Sequence, residues 1–285
     1  MNIQPADAEL LGIEFDDHLR SRFELTPPLS RHDGALYGGT AIAVATVAME
    51  AASDRPPLWV TTQFVSQAAL GDVIECETEV LASGKRVAQL RVTAYLRGAI
   101  VFTALGSTGI PRAGGLSGQF DTMPSVTSPA NSRELVLGHG GAERTSFRRS
   151  IDYLEAARGE DHAPDPAQML LWARVTAPGP ITPAAIGFVA DMVPAAIARG
   201  AGKLGAGISL DNSMRFGPRS DSEWVLLEMR GHVASEGFGH GSVRVWTPDG
   251  VLVAVGGQTA NMIFAFDQDG PVPPSLQRFG RDANE

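Results

Sequence analysis

An isolated acid stands in the apolar run Gly187-Phe188-Val189-Ala190-Asp191-Met192-Val193. A carboxylate among apolar side chains loses solvation, so its pKa rises and it can take a proton from water near neutral pH. The position equally suits a structural acid paired with an arginine, because burying a charge demands a purpose or a partner. Gln258 lies in the small-residue stretch Val255-Gly256-Gly257-Gln258-Thr259, where an amide without partners is costly, so it is expected to bind something. Ser209 alone reads as strand decoration, but like Gln258 it both donates and accepts hydrogen bonds, which suits the two to orienting a water. Gly38-Gly39 opens another apolar segment, and glycines there let a ligand approach the N–H groups of a helix start, which can hold an oxyanion.

Other chemistries find less support. His18, His32, His139, His162, His232 and His240 have no metal-ligand spacing, so no metal is expected. Gly237-Phe238-Gly239-His240-Gly241 resembles a phosphate cradle only superficially, since it joins two strands and precedes no helix. There is no Gly-x-Ser-x-Gly elbow. Asp211 reads as structural, and the lone Cys76, in an alternating strand-like stretch, as inert packing.

The elements that must carry these residues repeat. Gly38-Gly39 runs into Ala41, Ile42, Val44, Ala45, Val47, Ala48 and Ala51, a helix apolar all round and therefore buried. Four strands follow, over Trp59–Val65, Asp72–Leu81, Arg86–Arg97 and Ile100–Thr108, after an opening strand at Ser21–Leu25. The order returns with a second helix from Pro183, capped by Thr182 and running to about Ala198, and four strands over Gly207–Phe216, Trp224–Val233, Gly241–Trp246 and Val251–Ile263. Phe64 and Phe216, like Gly98 and Gly250, stand 152 positions apart. Pattern rather than identity carries this duplication, in which only the second copy bears the acid.

An antiparallel sheet wrapped round one apolar helix is the hot-dog arrangement. The expected fold is thus α+β, a double hot-dog of two antiparallel sheets, each wrapped around a central helix and joined edge to edge. Residues 1–111 form the first unit, 112–143 a Gly/Ser/Pro-rich linker and 144–285 the second unit.

The 285 residues are 44% hydrophobic and 19% charged, enough to bury a sizeable core. A net charge of −9 argues against nucleic acid or an anionic membrane surface as the main partner. One cysteine allows no intrachain disulfide, which points to a cytoplasmic setting. Met1 to Glu14 lacks the pattern of a secretory signal, and no stretch is long and apolar enough to insert in a membrane.

These residues resemble the bacterial type II acyl-CoA thioesterases. The resemblance is carried by Leu36-Tyr37-Gly38-Gly39 and Val80 to Val87 in the first copy. In the second it is carried by Phe188-Val189-Ala190-Asp191, Ile208 to Phe216 and Asp249 to Gln258. It covers most of the chain apart from linker and tail. It implies hydrolysis of a fatty or related acyl-CoA to free acid and CoA, with Asp191, Ser209 and Gln258 holding the attacking water. Ser209 stands where the family commonly has Thr, which keeps the hydroxyl. Gly39, with Gly38, is the expected oxyanion and substrate-binding segment, and no organic cofactor is implied. Arg215, Arg219 and Arg244 are candidates for the CoA phosphates. Two alternatives stay open: a non-catalytic acyl-CoA binding or sensing protein, and a hot-dog hydratase, for which the Asp–His pair is missing beside Asp191. Exposed sheet edges lead to the expectation of a homo-oligomer, a dimer or larger.

Overall fold

The computed structural model describes residues 4–135, 146–159 and 165–267. His139, His162, the end of the linker and the polar tail after Asp267 lie outside them. The first half contains α1 (Pro5–Leu11), β1 (Glu14–Phe15), β2 (Arg20–Glu24), α2 (Gly38–Ser53), β3 (Pro57–Phe64), β4 (Val73–Ser83), β5 (Val87–Leu96) and β6 (Ala99–Gly109). The second contains β7 (Arg133–Glu134), β8 (Ile151–Glu155), β9 (Gln168–Val175), α3 (Pro183–Val189), α4 (Val193–Gly200), β10 (Lys203–Phe216), β11 (Val225–Ser235), β12 (Phe238–Trp246) and β13 (Leu252–Asp267).

Among the described residues thirteen antiparallel strands form one hydrogen-bonded sheet in the order β1-β2-β4-β5-β6-β3-β10-β13-β12-β11-β9-β8-β7. The order β2-β4-β5-β6-β3 is mirrored by β9-β11-β12-β13-β10, so the halves meet where β3 pairs with β10, from Trp59–Arg215 to Gln63–Asp211. Helix α2 packs on β3 to β6 and α4 on β10 to β13. Nearly every α2 residue from Gly39 to Met49 is buried because α3 covers its other side. That contact is close: a Cβ on Gly187 would strike Ile42, and one on Gly39 would strike the carbonyl of Phe188.

The second helix departs from expectation. Instead of running unbroken to Ala198, it stops at Val189 and restarts at Val193, leaving Asp191 between. Pro194 is the cause. It has no N–H to donate to the carbonyl of Ala190, and its ring would crowd that carbonyl in a continuous helix. Two tyrosine hydroxyls meet the carbonyls at the break: Tyr153 Oη donates to Val189 O at 2.7 Å, and Tyr37 Oη lies 3.4 Å from Asp191 O.

The linker also does more than connect. Met123 and Val126 pack against a small second core of Leu170, Trp172, Leu226 and Trp246 on the outer side of the sheet. Gln119 bonds both Gly250 O and Leu252 N, and Asp121 pairs with Arg244. The glycine stretch near 240 proves to be a tight turn, with Glu236 and Gly237 at positive φ, followed by strand. Gly239 and Gly241 there make room for Ile197 and Val193 of α4 rather than for a ligand.

Candidate active site

Asp191 is 8% exposed and faces the N-terminus of α2 across the junction of the halves. Its Oδ1 accepts from Gln258 Nε2 at 2.6 Å and from Asn212 Nδ2 at 2.9 Å. The N–H of Gly39 also donates to this carboxylate, so the donor expected for an oxyanion is engaged here by the acid itself. A Cβ on Gly38 would strike Asp191 Oδ2, so that glycine makes room for the carboxylate. Burial raises the Asp191 pKa to about 6; the bonds from Asn212, Gln258 and Gly39 and the charge of Arg31 oppose the rise without cancelling it.

Gln258 is itself buried, and its Nε2 also lies 2.5 Å from Ser209 Oγ. Its Oε1 has no hydrogen-bond partner among the described residues. The structure therefore brings Asp191, Ser209 and Gln258 together around one amide. Strand alternation by itself does not account for this. Inward-facing Met214 and Asn212 would in a regular strand be followed by Leu210, but a β-bulge opposite Ala260 and Thr259 turns Leu210 outward and Ser209 in. Asp211 fastens the bulge by accepting from Thr259 N at 3.0 Å.

Asn212 was not singled out by the sequence, because parity along an unbroken strand separates it from Ser209. Its available signal was its place across the strand pair from Gln258. Tyr37 stood in a motif that carried the resemblance but was given no role, and Tyr153 was not singled out, since the carbonyls they meet are exposed as acceptors only through the helix break.

The arginines expected for the CoA phosphates have partners of their own. Arg215 is exposed and bonds Ser213, Arg219 pairs with Glu50, and Arg244 with Asp121. Arg31 is the cation whose charge reaches Asp191. No group of metal-binding side chains occurs among the described residues. Cys76 is 1% exposed, and burial pushes its thiol up to about 12, far from a nucleophile. No helix among the described residues is long and apolar enough to cross a membrane.

Comparison with known proteins adds an independent line. Residues 25–109 match the acyl-CoA thioesterase N-terminal domain and residues 121–262 the acyl-CoA thioesterase C-terminal domain. Among solved structures, a proposed thioesterase from Novosphingobium aromaticivorans is 29% identical, with a TM-score of 0.78 over 90% of this chain and 98% of that one. A hot-dog-fold protein of unknown function from Alicyclobacillus acidocaldarius is 18% identical, with a TM-score of 0.76 over 95% and 100%. An acyl-CoA thioesterase II from Mycobacterium marinum is 21% identical, with a TM-score of 0.70 over 90% and 98%. The likeness to the Alicyclobacillus protein establishes the hot-dog fold. No curated protein sequence matches the chain.

Proposed function

The chain belongs to the acyl-CoA thioesterase family, a thioester hydrolase, and from that premise we propose that Asp191, Ser209 and Gln258 hydrolyse a fatty or related acyl-CoA through one held water. The observation that carries this is the contact of Gln258 Nε2 with both Asp191 Oδ1 and Ser209 Oγ. In this reading a water bound between them would give one proton to the carboxylate and the other to Gln258 Oε1, which has no hydrogen-bond partner among the described residues.

As the water oxygen attacks the thioester carbonyl, Asp191 accepts its proton. The carbonyl π-electrons move to oxygen and form a tetrahedral oxyanion. Collapse breaks the C–S bond, leaving the free acid, and the departing CoA thiolate takes the proton that Asp191 accepted, which restores the carboxylate. No covalent acyl-enzyme forms. The raised pKa of Asp191 supports the role, since a base is most effective near the working pH.

The same reading takes the architecture as a double hot-dog, with units at 1–111 and 144–285 and a linker at 112–143. It adds a cytoplasmic setting and a homo-oligomer. Asp191→Asn is the test. Thiol release from acyl-CoA should fall by about 10³-fold with the fold intact, as expected on losing a general base. Turnover near the wild-type rate would overturn the mechanism.

A further inference from the structure

We propose that Tyr153, coupled to Tyr37, is a positioning residue for Asp191, holding the break between α3 and α4 in the one shape that aims the carboxylate at Gln258 and Asn212. The inference rests on the assignment of Asp191 as the base.

A helix interrupted at one residue leaves carbonyls that must find donors or pay the cost of burial. Val189 O would ordinarily accept from the N–H of residue 193. Tyr153 Oη takes that role at 2.7 Å, from a buried ring on β8. Tyr37 Oη donates its one proton to the Tyr153 hydroxyl, whose own proton is on Val189 O, and it lies 3.4 Å from Asp191 O. The carbonyls of Val189 and Asp191, one residue apart in the break, thus both lie against one linked pair of hydroxyls, one from each half of the chain.

The rings are themselves fixed. Phe147 stacks on Tyr37 with centroids 3.9 Å apart and planes at 5°, and Phe188 meets Tyr37 edge-on at 5.5 Å. The Arg148 guanidinium lies 4.8 Å over the Tyr153 ring. Burial pushes both phenols well above their ordinary pKa, so they remain donors across the working range. The charged and titratable groups facing Asp191 are then Arg31, Tyr37 and Tyr153, with Arg148 behind the tyrosines.

The experiment compares Tyr153→Phe and Tyr37→Phe with Thr46→Val in the full chain. Thr46 donates a buried bond of similar length to Ile42 O, 2.8 Å, inside α2 and away from the break. Loss of aim should lower kcat by up to about 10²-fold while KM changes little, the scale set by an ångström of misplacement. The acid limb of the pH–rate profile should move upward, because the donors that hold the carboxylate's pKa down no longer meet it. Thr46→Val should lose stability without either change. If Tyr153→Phe does not fold, Tyr37→Phe carries the test. Unchanged kcat and acid limb in the folded tyrosine variants would overturn the proposal. Asp191→Asn, measured alongside, separates the two failures: if it retains turnover, the assignment of the base is what has failed.

Discussion

Gly38 lies against the carboxylate of Asp191 with no room for a methyl group between them. The neighbouring glycine is equally constrained but by a different neighbour. A Cβ on Gly38 would meet a side chain that can move, whereas one on Gly39 would meet the backbone carbonyl of Phe188 and the ring of Tyr37. Gly38→Ala should therefore fold and lose most turnover as Asp191 is displaced, by about 10²-fold. Gly39→Ala should instead lose stability, by about 1–3 kcal/mol as for an overpacked core. Thermal melts and kcat of the two purified variants check the contrast, and equal stability losses would refute it.

The acid limb of thioesterase activity should fall near pH 6. Asp191 acts only when ionised, and its pKa is raised from 3.8 to about 6, so turnover is present above that pH and lost below it. The stability consequence has the opposite sense. Between about pH 4 and 6 the unfolded chain ionises this group while the folded chain does not, so rising pH favours unfolding by up to about 3 kcal/mol. The difference in stability between Asp191→Asn and wild type should move in favour of the variant across that window and stay level above it. A pH-independent difference would contradict this.

Asn212 and Ser209 should respond differently to substitution. Asn212→Leu removes a donor to Asp191 Oδ1. It should raise the acid limb and lower kcat, by about tenfold if the bond is worth about 1.5 kcal/mol. Ser209→Thr keeps the hydroxyl and should retain activity, while Ser209→Ala should lose it by a similar factor. Identical pH profiles for Asn212→Leu and wild type would remove Asn212 from the site.

A second buried acid allows a prediction about the scaffold. Asp7 on α1 is 2% exposed, accepts a bond from Thr182 Oγ1 at 2.5 Å and has its pKa pushed up to about 6 by burial. Thr182 caps α3 through Ala185 N. Asp7→Asn can keep the hydrogen bond without the charge, so it should gain thermal stability at pH 8 relative to pH 4. An equal effect at both pH values would count against a buried ionised Asp7.

The parts of the molecule legible in the sequence are those set by local pattern. The all-round apolar segment from Ala41 to Ala51 marked a buried helix, and the nine strands from β2 to β6 and from β10 to β13 fell close to their expected stretches. Asp191 was visible because an acid among apolar residues contradicts its surroundings. The bulge at Leu210 was hidden, since it depends on pairing with β13, and with it Asn212. Pro194 was present in the second apolar segment, but only the packed structure reveals that the chain breaks there. The linker's packing on Trp172 and Trp246 was masked by its loop-like composition.

Gly39 and Asp191, hydrogen-bonded across the junction, are separated by 152 positions, the same interval that relates Phe64 to Phe216. By that spacing they hold the same place in the two halves, whose strand orders mirror each other about the β3–β10 junction. Two identical protomers would be obliged to put the same residue on both sides: two carboxylates repelling one another, or two glycines with no base. Joining the halves in one chain lifts that symmetry constraint, so each copy can mutate alone and an acid can meet a backbone N–H.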